Sequence, residues 1–255
     1  MSFPILRPKR LWRIFGPGLT TGAADDDPSG IATYSQAGAQ FGYALTWTLL
    51  LTLPFMAAIQ IISACIGART RGGLAVSIAR QFSRPVVYGL VLLLVVANTL
   101  NIAADLAAMG AALQMVLGGH QFLFAIAFGL GCVAAEIAVP YHRYAGYLKV
   151  LTLALLVYVA AAFTLHIPWG QVALTTFVPS IRLDSGLLLT IVAVFGTTIS
   201  PYLFFWQASQ EAEEARLGGR AVPADEPPAP DRFRRISVDT WVGMAFSNVI
   251  GFCII

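Results

Sequence analysis

The sequence predicts an all-α integral membrane protein whose first and sixth spans are interrupted at membrane depth. Of the 255 residues, 57% are hydrophobic and 11% are charged, and the mean hydropathy is +0.73. Soluble domains carry about 25% charged residues, so this composition indicates a chain that lies in lipid. Fifteen of the sixteen lysines and arginines fall in four clusters, at 7–13, 69–84, 143–149 and 216–235. This pattern is expected when alternate loops face the cytoplasm, so the net charge of +3 reflects topology and does not indicate nucleic-acid binding.

The hydropathy pattern divides the chain into four parts. Residues 1–14 are a basic N-terminus, 15–210 contain six spans, 211–237 are a polar linker, and 238–255 begin a seventh span. No cleavable signal precedes the first span, so the N-terminus and the linker are expected in the cytoplasm, and the protein in the bacterial inner membrane. The apolar run that closes the chain has no polar flank, so the seventh span is expected to be truncated. Because a span needs about 20 apolar residues, the six spans are placed at about 15–40, 44–67, 86–117, 121–139, 150–165 and 186–210.

The first span contains the consecutive carboxylates Asp25, Asp26 and Asp27, followed by Pro28 and Gly30. A charge at the bilayer centre costs roughly 2.5–3.5 kcal/mol on insertion scales, so three such residues cannot face lipid. Proline lacks the N–H that a helix interior needs, and glycine lets the chain leave helical geometry. The pattern predicts a helix broken near 24–30, with negative charge at the break and a cation beside it.

A second interruption lies in the sixth span, at Thr197-Thr198-Ile199-Ser200-Pro201. The two broken spans are five spans apart. Five is an odd number, so a second five-span unit would start in the opposite orientation. Paired interruptions of this kind indicate an inverted-repeat secondary transporter, with its substrate at the midplane between the two breaks. Pro28 and Pro201 would keep the two breaks open.

The third span carries Asn98, Asn101 and Asp105. Spacings of three, four and seven residues place them on one face of a helix. Two interpretations remain open for this face. It is either a hydrogen-bonded seam between helices, or a polar lining beside the site in which Asp105 is a proton relay or an ion-pair partner.

Several segments resemble the Nramp family of divalent-metal transporters. The run 37–43, Ala-Gly-Ala-Gln-Phe-Gly-Tyr, matches the end of the family's first-span signature in full, after Asp27-Pro28 at its beginning. Residues 104–107 resemble the family's third span, and 196–202 stand where the family has its sixth-span Met-Pro-His motif. The resemblance implies the LeuT-like inverted-repeat transporter fold, with the first repeat and spans 6 and 7 only.

The resemblance also implies ligands for a metal ion. Asp27 matches the family's metal-binding aspartate, and Ala24 and Thr197 fall where family members offer backbone carbonyls. Four departures accompany these matches: Gly30 replaces the family's asparagine, Ser200 its methionine, Tyr202 its histidine, and Ala108 its third-span glutamate. The last two leave proton coupling open.

These departures predict a change in the transported metal. Methionine is a soft ligand that favours transition metals, whereas the hydroxyl of Ser200 is hard. A site with few protein ligands suits an ion that keeps several waters, and Asp25 and Asp26 would add negative charge for it. We therefore expect a transporter of Mn²⁺ or Mg²⁺, with the metal as substrate, no cofactor, and H⁺ as the candidate coupling ion.

Other functions are compatible with parts of the pattern. A sodium-coupled symporter of small organic solutes would share the fold but would not need three carboxylates. An intramembrane aspartyl hydrolase would use Asp27 and Asp105 as a proton-sharing pair, but Asp105 lacks glycine neighbours, and an enzyme is not expected. A chain without most of the second repeat could also be a non-functional fragment. The expected partners are a divalent cation and the lipid bilayer, and the sequence gives no oligomeric state.

Overall fold

The computed structural model describes residues 17–70, 72–138, 152–179, 184–217 and 230–255. This part of the chain is helical throughout, without a strand, and has short 3₁₀ turns at Gly42–Leu45 and Thr152–Leu155. The predicted basic segments at 1–14 and 143–149 lie outside it. The α-helices, numbered along the chain, are α1 (Pro17–Asp25), α2 (Pro28–Phe41), α3 (Thr46–Thr70), α4 (Gly73–Gln81), α5 (Arg84–Leu117), α6 (Gln121–Ala138), α7 (Leu156–Thr164), α8 (Trp169–Phe177), α9 (Ser185–Thr198), α10 (Pro201–Leu217) and α11 (Pro230–Ile254).

Five of the described segments are long and apolar enough to cross a membrane, and they become six if the bent pair around residue 165 is one span. The helices of that pair, 152–164 and Trp169–Phe177, meet at 114°. The second of them lies between the predicted fifth and sixth spans, and α4 lies between the predicted second and third spans. The five segments are Pro28–Thr70, Arg84–Leu117, Gln121–Ala138, Ser185–Arg216 and Pro230–Ile254.

The first span is interrupted between α1 and α2, inside the range 24–30 given by the sequence. Asp27 has an extended backbone (φ −71°, ψ 166°), and its side chain accepts a hydrogen bond from the Gly30 N–H. Pro28 follows as the first helical residue, where its missing N–H is no loss and its φ already suits a helix. The break is therefore a helix start built from Asp27 and Pro28 inside a span.

The sixth span is interrupted at Ile199 and Ser200, between α9 and α10. Ile199 (φ −111°, ψ 60°) ends α9, and Pro201 begins α10. Proline cannot donate into the preceding turn, so the helix restarts at this residue. Both interruptions therefore consist of a few non-helical residues followed by proline.

Both ends of the predicted linker 211–237 are helical in the described part of the chain. Helix α10 continues to Leu217, and α11 begins at Pro230 rather than near 238. Glutamate, alanine and arginine in 211–217 are good helix formers. Ion pairs also join the two helices, at 3.8 Å for Arg232–Glu211 and 2.6 Å for Arg235–Glu214. Polar composition alone suggested a loop, but these pairs give both helix ends a partner.

Helix α11 runs parallel to the broken first span on both sides of its break. Asp239 accepts a hydrogen bond from the Gly18 N–H at 2.7 Å. One turn further, a Cβ on Gly22 would overlap the carbonyl of Gly243, and beyond the break Gly251 lies against the ring of Tyr34. Small residues at matched positions let two membrane helices approach closely. This contact fixes the orientation of α1, and with it the side chains at its C-terminal end.

Candidate metal site

The carboxylate of Asp27 lies at the centre of a hydrogen-bonded cluster at the first-span break. Its Oδ1 accepts from the Gly30 N–H at 2.7 Å and from the Ser29 hydroxyl at 2.8 Å. Its Oδ2 accepts from Asn101 Nδ2 at 3.0 Å and from the Tyr202 hydroxyl at 2.7 Å. The donors come from α2, α5 and α10, so one carboxylate joins the first, third and sixth spans.

Asp105 supplies a second carboxylate to the same cluster. Its Oδ1 accepts from the Ser29 N–H at 2.9 Å, and Asn101 Nδ2 lies 3.5 Å from its Oδ2. The unpaired N–H groups at the start of α2 are thus shared between Asp27 and Asp105, and the positive end of the helix dipole faces both. The Asn101 amide lies within reach of both carboxylates. The polar face predicted on the third span therefore contacts the first-span break.

A cavity of about 290 Å³ lies beside these carboxylates. Every lining group that can face a cation is a carboxylate, an amide, a carbonyl or a phenol hydroxyl, and such oxygens suit hard divalent ions. The described residues contain no cluster of three or more His, Cys, Asp or Glu side chains that could hold a metal ion. A cation in this cavity would therefore have few charged ligands. The lining residues are Ala24, Asp27, Asn98, Asn101, Ile102, Asp105 and Tyr202.

Ala24, in the last turn of α1, lines this cavity, and its backbone carbonyl contacts another lining residue. The last carbonyls of a helix have no partner within the helix, and this one lies 3.3 Å from the Tyr202 hydroxyl. Tyr202 is therefore close to both first-span groups that the sequence assigned to a metal, the carbonyl of Ala24 and the carboxylate of Asp27.

The two sixth-span candidates, Thr197 and Ser200, are not among the residues that line the cavity. The Ser200 hydroxyl donates to the Thr197 carbonyl at 2.7 Å and lies 3.2 Å from the Gly196 carbonyl. The Ser200 hydroxyl and the Thr197 carbonyl, which were expected to bind the metal, are therefore hydrogen-bonded to each other. The Thr197 hydroxyl lies next to Gly30, where a Cβ would come within 3.2 Å of it.

Asp25 and Asp26 are not among the residues that line the cavity. Both are buried, with 1% and 5% of their surface exposed. The Ser247 hydroxyl on α11 lies 2.8 Å from Asp25 Oδ2 and 3.3 Å from Asp26 Oδ1. The sequence interpretation offered their charge to the ion, and in the structure both side chains contact the seventh span. Helical periodicity does not extend through a break, so consecutive residues there need not share a face.

Sequence reasoning missed two residues of this region, Ser29 and Ser247. Ser29 joins Asp27, Asn101 and Asp105 through its hydroxyl and its N–H. Ser29 is the second residue of α2, where the backbone N–H has no partner within the helix, and this position could have indicated a contact with an acidic group. Ser247 has no such local signal, because its partners are more than 200 residues away.

The chain was compared with known protein families, and one family model matches it over residues 18–255. That model describes natural resistance-associated macrophage protein-like proteins, abbreviated Nramp. The chain belongs to the Nramp family. The expected family is thereby confirmed over nearly the whole chain.

Individual Nramp relatives include two proteins named divalent metal cation transporter MntH. The one from Verminephrobacter eiseniae is 32% identical over 74% of this chain and 44% of its own length. The one from Erwinia tasmaniensis is 27% identical over 93% of this chain and 56% of its own length. The chain therefore spans about half the length of the curated relatives that it matches.

Solved Nramp structures confirm the predicted fold. Crystal structures of variants of the Eremococcus coleocola manganese transporter superpose with a TM-score of 0.76 at 17% identity, over all of this chain and 52% of theirs. The same transporter in complex with an aromatic bis-isothiourea substituted compound gives a TM-score of 0.73 at 18% identity. The described helices thus form the first part of the LeuT-like architecture, as expected from the sequence.

Proposed function

We propose that the protein to which this chain belongs transports divalent metal cations across a membrane, and that it favours Mn²⁺ or Mg²⁺ over soft transition metals. The observation that carries the proposal is the cavity at the first-span break, where Asp27 and Asp105 face a space lined otherwise by amides, a carbonyl, a phenol and one isoleucine. Two carboxylates match the charge of one divalent ion, and oxygen ligands favour hard ions.

In this proposal each residue has a separate role. Asp27 is the charged group that holds the ion, directly or through a water molecule, and the Ala24 carbonyl is a neutral oxygen beside it. Thr197 and Ser200 are sixth-span groups that reach the ion only after the bond from the Ser200 hydroxyl to the Thr197 carbonyl opens. Pro28 and Pro201 hold the breaks, so the half-helices can move against α5 during alternating access.

The size of the cavity supports an ion that keeps part of its water. A water molecule occupies about 30 Å³ of liquid volume, so six waters need about 180 Å³. The cavity of about 290 Å³ exceeds that volume. Mg²⁺ loses its waters reluctantly and is commonly held by one or two carboxylates with waters in the remaining positions. The names of the relatives, divalent metal cation and manganese transporter, agree with the class of substrate.

Uptake by the full-length protein in proteoliposomes tests this proposal. We expect saturable uptake of Mn²⁺ or Mg²⁺, and loss of that uptake in Asp27→Asn. Asp184→Asn is the matched control, because Asp184 also caps a helix but is exposed and lies outside the cavity. Equal uptake of Cd²⁺ and Mg²⁺, unchanged by Ser200→Met, would contradict the preference for hard ions.

The same vesicles test coupling and the alternative substrate. A pH-sensitive dye inside the vesicles reports whether protons enter with the metal. Proton coupling is an open question because Tyr202 and Ala108 replace the family's histidine and glutamate. Sodium-dependent uptake of a labelled amino acid, in place of metal uptake, would favour the organic-solute symporter. The orientation with the N-terminus in the cytoplasm of a bacterial inner membrane is part of the proposal, and accessibility of an N-terminal tag to added protease in sealed vesicles tests it.

A further inference from the structure

Four hydrogen-bond donors contact the carboxylate of Asp27, and they reach both of its oxygens. A carboxylate has two oxygens with about four lone-pair sites. Gly30 and Ser29 lie at Oδ1, and the Ser29 hydroxyl, which has one proton, also lies 3.0 Å from Asn101 Oδ1. Asn101 and Tyr202 donate to Oδ2. A cation that binds Oδ2 directly must therefore displace one of these two donors.

The Tyr202 hydroxyl occupies the position where a directly bound cation would join the first-span ligands. It lies 2.7 Å from Asp27 Oδ2 and 3.3 Å from the Ala24 carbonyl. A divalent ion that bound both oxygens would lie about 2.0–2.6 Å from each. Because the phenol oxygen already contacts both groups, it competes with such an ion.

The remainder of the cavity offers acceptors to an ion that brings its own water. The contact between Asp105 Oδ2 and Asn101 is long, at 3.5 Å, and the phenol oxygen keeps a free lone pair while its proton points to Asp27. Asn98 adds a further amide to the lining. Water molecules around a cation are donors, and these groups are their natural partners.

Resting on the proposed function, we propose that Tyr202 determines the selectivity of this site. Its hydroxyl occupies the direct-coordination position between Asp27 and Ala24, so the site accepts a cation that retains its water shell and disfavours one that must shed it. The favoured substrate is Mg²⁺ over Mn²⁺, because Mg²⁺ dehydrates more reluctantly.

Cobalt(III) hexaammine tests the proposal on the unmodified full-length protein. This ion carries six inert ammine ligands, so it resembles a hydrated cation and cannot bind directly. We expect it to compete with Mg²⁺ for uptake into proteoliposomes, while spermidine, which carries the same charge without an octahedral shell, does not. Failure of the hexaammine to compete, or equal competition by spermidine, would overturn the proposal.

The variant Tyr202→Phe tests the role of the hydroxyl and keeps the ring. It frees one acceptor position on Asp27 and uncovers the Ala24 carbonyl. The selectivity for Mn²⁺ over Mg²⁺ should rise roughly tenfold, which corresponds to about 1.4 kcal/mol, and competition by the hexaammine should weaken. Tyr88→Phe is the matched control, since Tyr88 is 70% exposed and outside the cavity.

The outcomes separate this inference from the proposed function. An unchanged selectivity in Tyr202→Phe, together with uptake that still depends on Asp27, would refute the inference and leave the transporter. Absence of Asp27-dependent uptake of any divalent ion would refute the proposed function itself. If Tyr202→Phe is not monodisperse on size exclusion, the hexaammine experiment on the unmodified protein decides alone.

Discussion

Asp27 and its two neighbours, Asp25 and Asp26, are consecutive in the chain but lie in two different environments. Asp27 faces the cavity and accepts four hydrogen bonds. Its neighbours are buried against α11 near a single hydroxyl, that of Ser247. Helix α1 ends at Asp25, and Asp26 and Asp27 form the non-helical break, so helical periodicity does not hold the three side chains on one face. Adjacency in a broken helix therefore says little about a shared role.

The two environments also differ in how well they stabilise a carboxylate. Asp25 Oδ1 and Asp26 Oδ2 are buried and have no hydrogen-bond partner within the described part of the chain. A hydroxyl has one proton, so Ser247 can donate to only one of the two side chains at a time. A buried carboxylate without donors lowers stability. Asp25 and Asp26 therefore each keep one buried oxygen without a hydrogen-bond donor in the described part of the chain, whereas both oxygens of Asp27 have donors.

The largest effect should come from comparing the two sides directly by alanine substitution. Asp27→Ala removes the charge that faces the cavity, and we expect metal uptake to fall roughly 100-fold, or about 2.7 kcal/mol in kcat/KM. Asp26→Ala should change uptake by less than about threefold. Uptake of labelled Mn²⁺ or Mg²⁺ by full-length protein gives both numbers. Equal losses in the two variants would show that the charges act together.

The environment of Asp25 and Asp26 can be tested by removing the Ser247 hydroxyl. Ser247→Ala takes this hydrogen-bond donor away from both buried carboxylates, and we expect a loss of about 2 kcal/mol in the free energy of unfolding. Thermal denaturation in detergent measures the change. Adding Asp26→Asn in the same protein should restore part of the loss, because one buried carboxylate is then absent. A decrease in metal affinity without a decrease in stability would contradict the assignment.

The sequence predicted the break of the first span because proline and three charges are incompatible with a lipid-facing helix. It also grouped Asn98, Asn101 and Asp105 correctly, since helical periodicity determines which residues share a face. The contact between Asp25 and Ser247 was not predictable, because it depends on packing between distant segments. The helical state of the polar segment 211–217 was not predicted, since its ion-pair partners follow it only in the next helix.

A smaller effect is expected from the second carboxylate of the cavity. Asp105→Asn keeps the shape of the side chain and an acceptor for the Ser29 N–H, but it removes one of two negative charges that face the ion. We expect the affinity for Mg²⁺ to weaken roughly tenfold, or about 1.4 kcal/mol. Isothermal titration of purified full-length protein measures it. Glu136→Gln is the control, because Glu136 is an exposed acid outside the cavity.

The smallest effect should come from the sixth-span break. The hydroxyl of Ser200 is already bonded to carbonyls of the preceding helix, α9, so Ser200→Ala should change metal uptake by less than about twofold. The same uptake assay measures this variant. A loss comparable to that of Asp105→Asn would place Ser200 among the ligands during transport and would make the two breaks more alike than their structures are.

The separation in sequence between Ser247 and its two partners has a consequence for how the protein is made. Their hydrogen bonds join residues 222 and 221 positions apart. At about 5–20 residues per second, a ribosome needs roughly 10 to 45 s to synthesise that length of chain. During this interval α1 is without the helix that covers Gly22 and faces Asp25 and Asp26. The first span to leave the ribosome thus reaches its final packing only after α11 has been synthesised, and until then Asp25 and Asp26 are without the hydroxyl of Ser247.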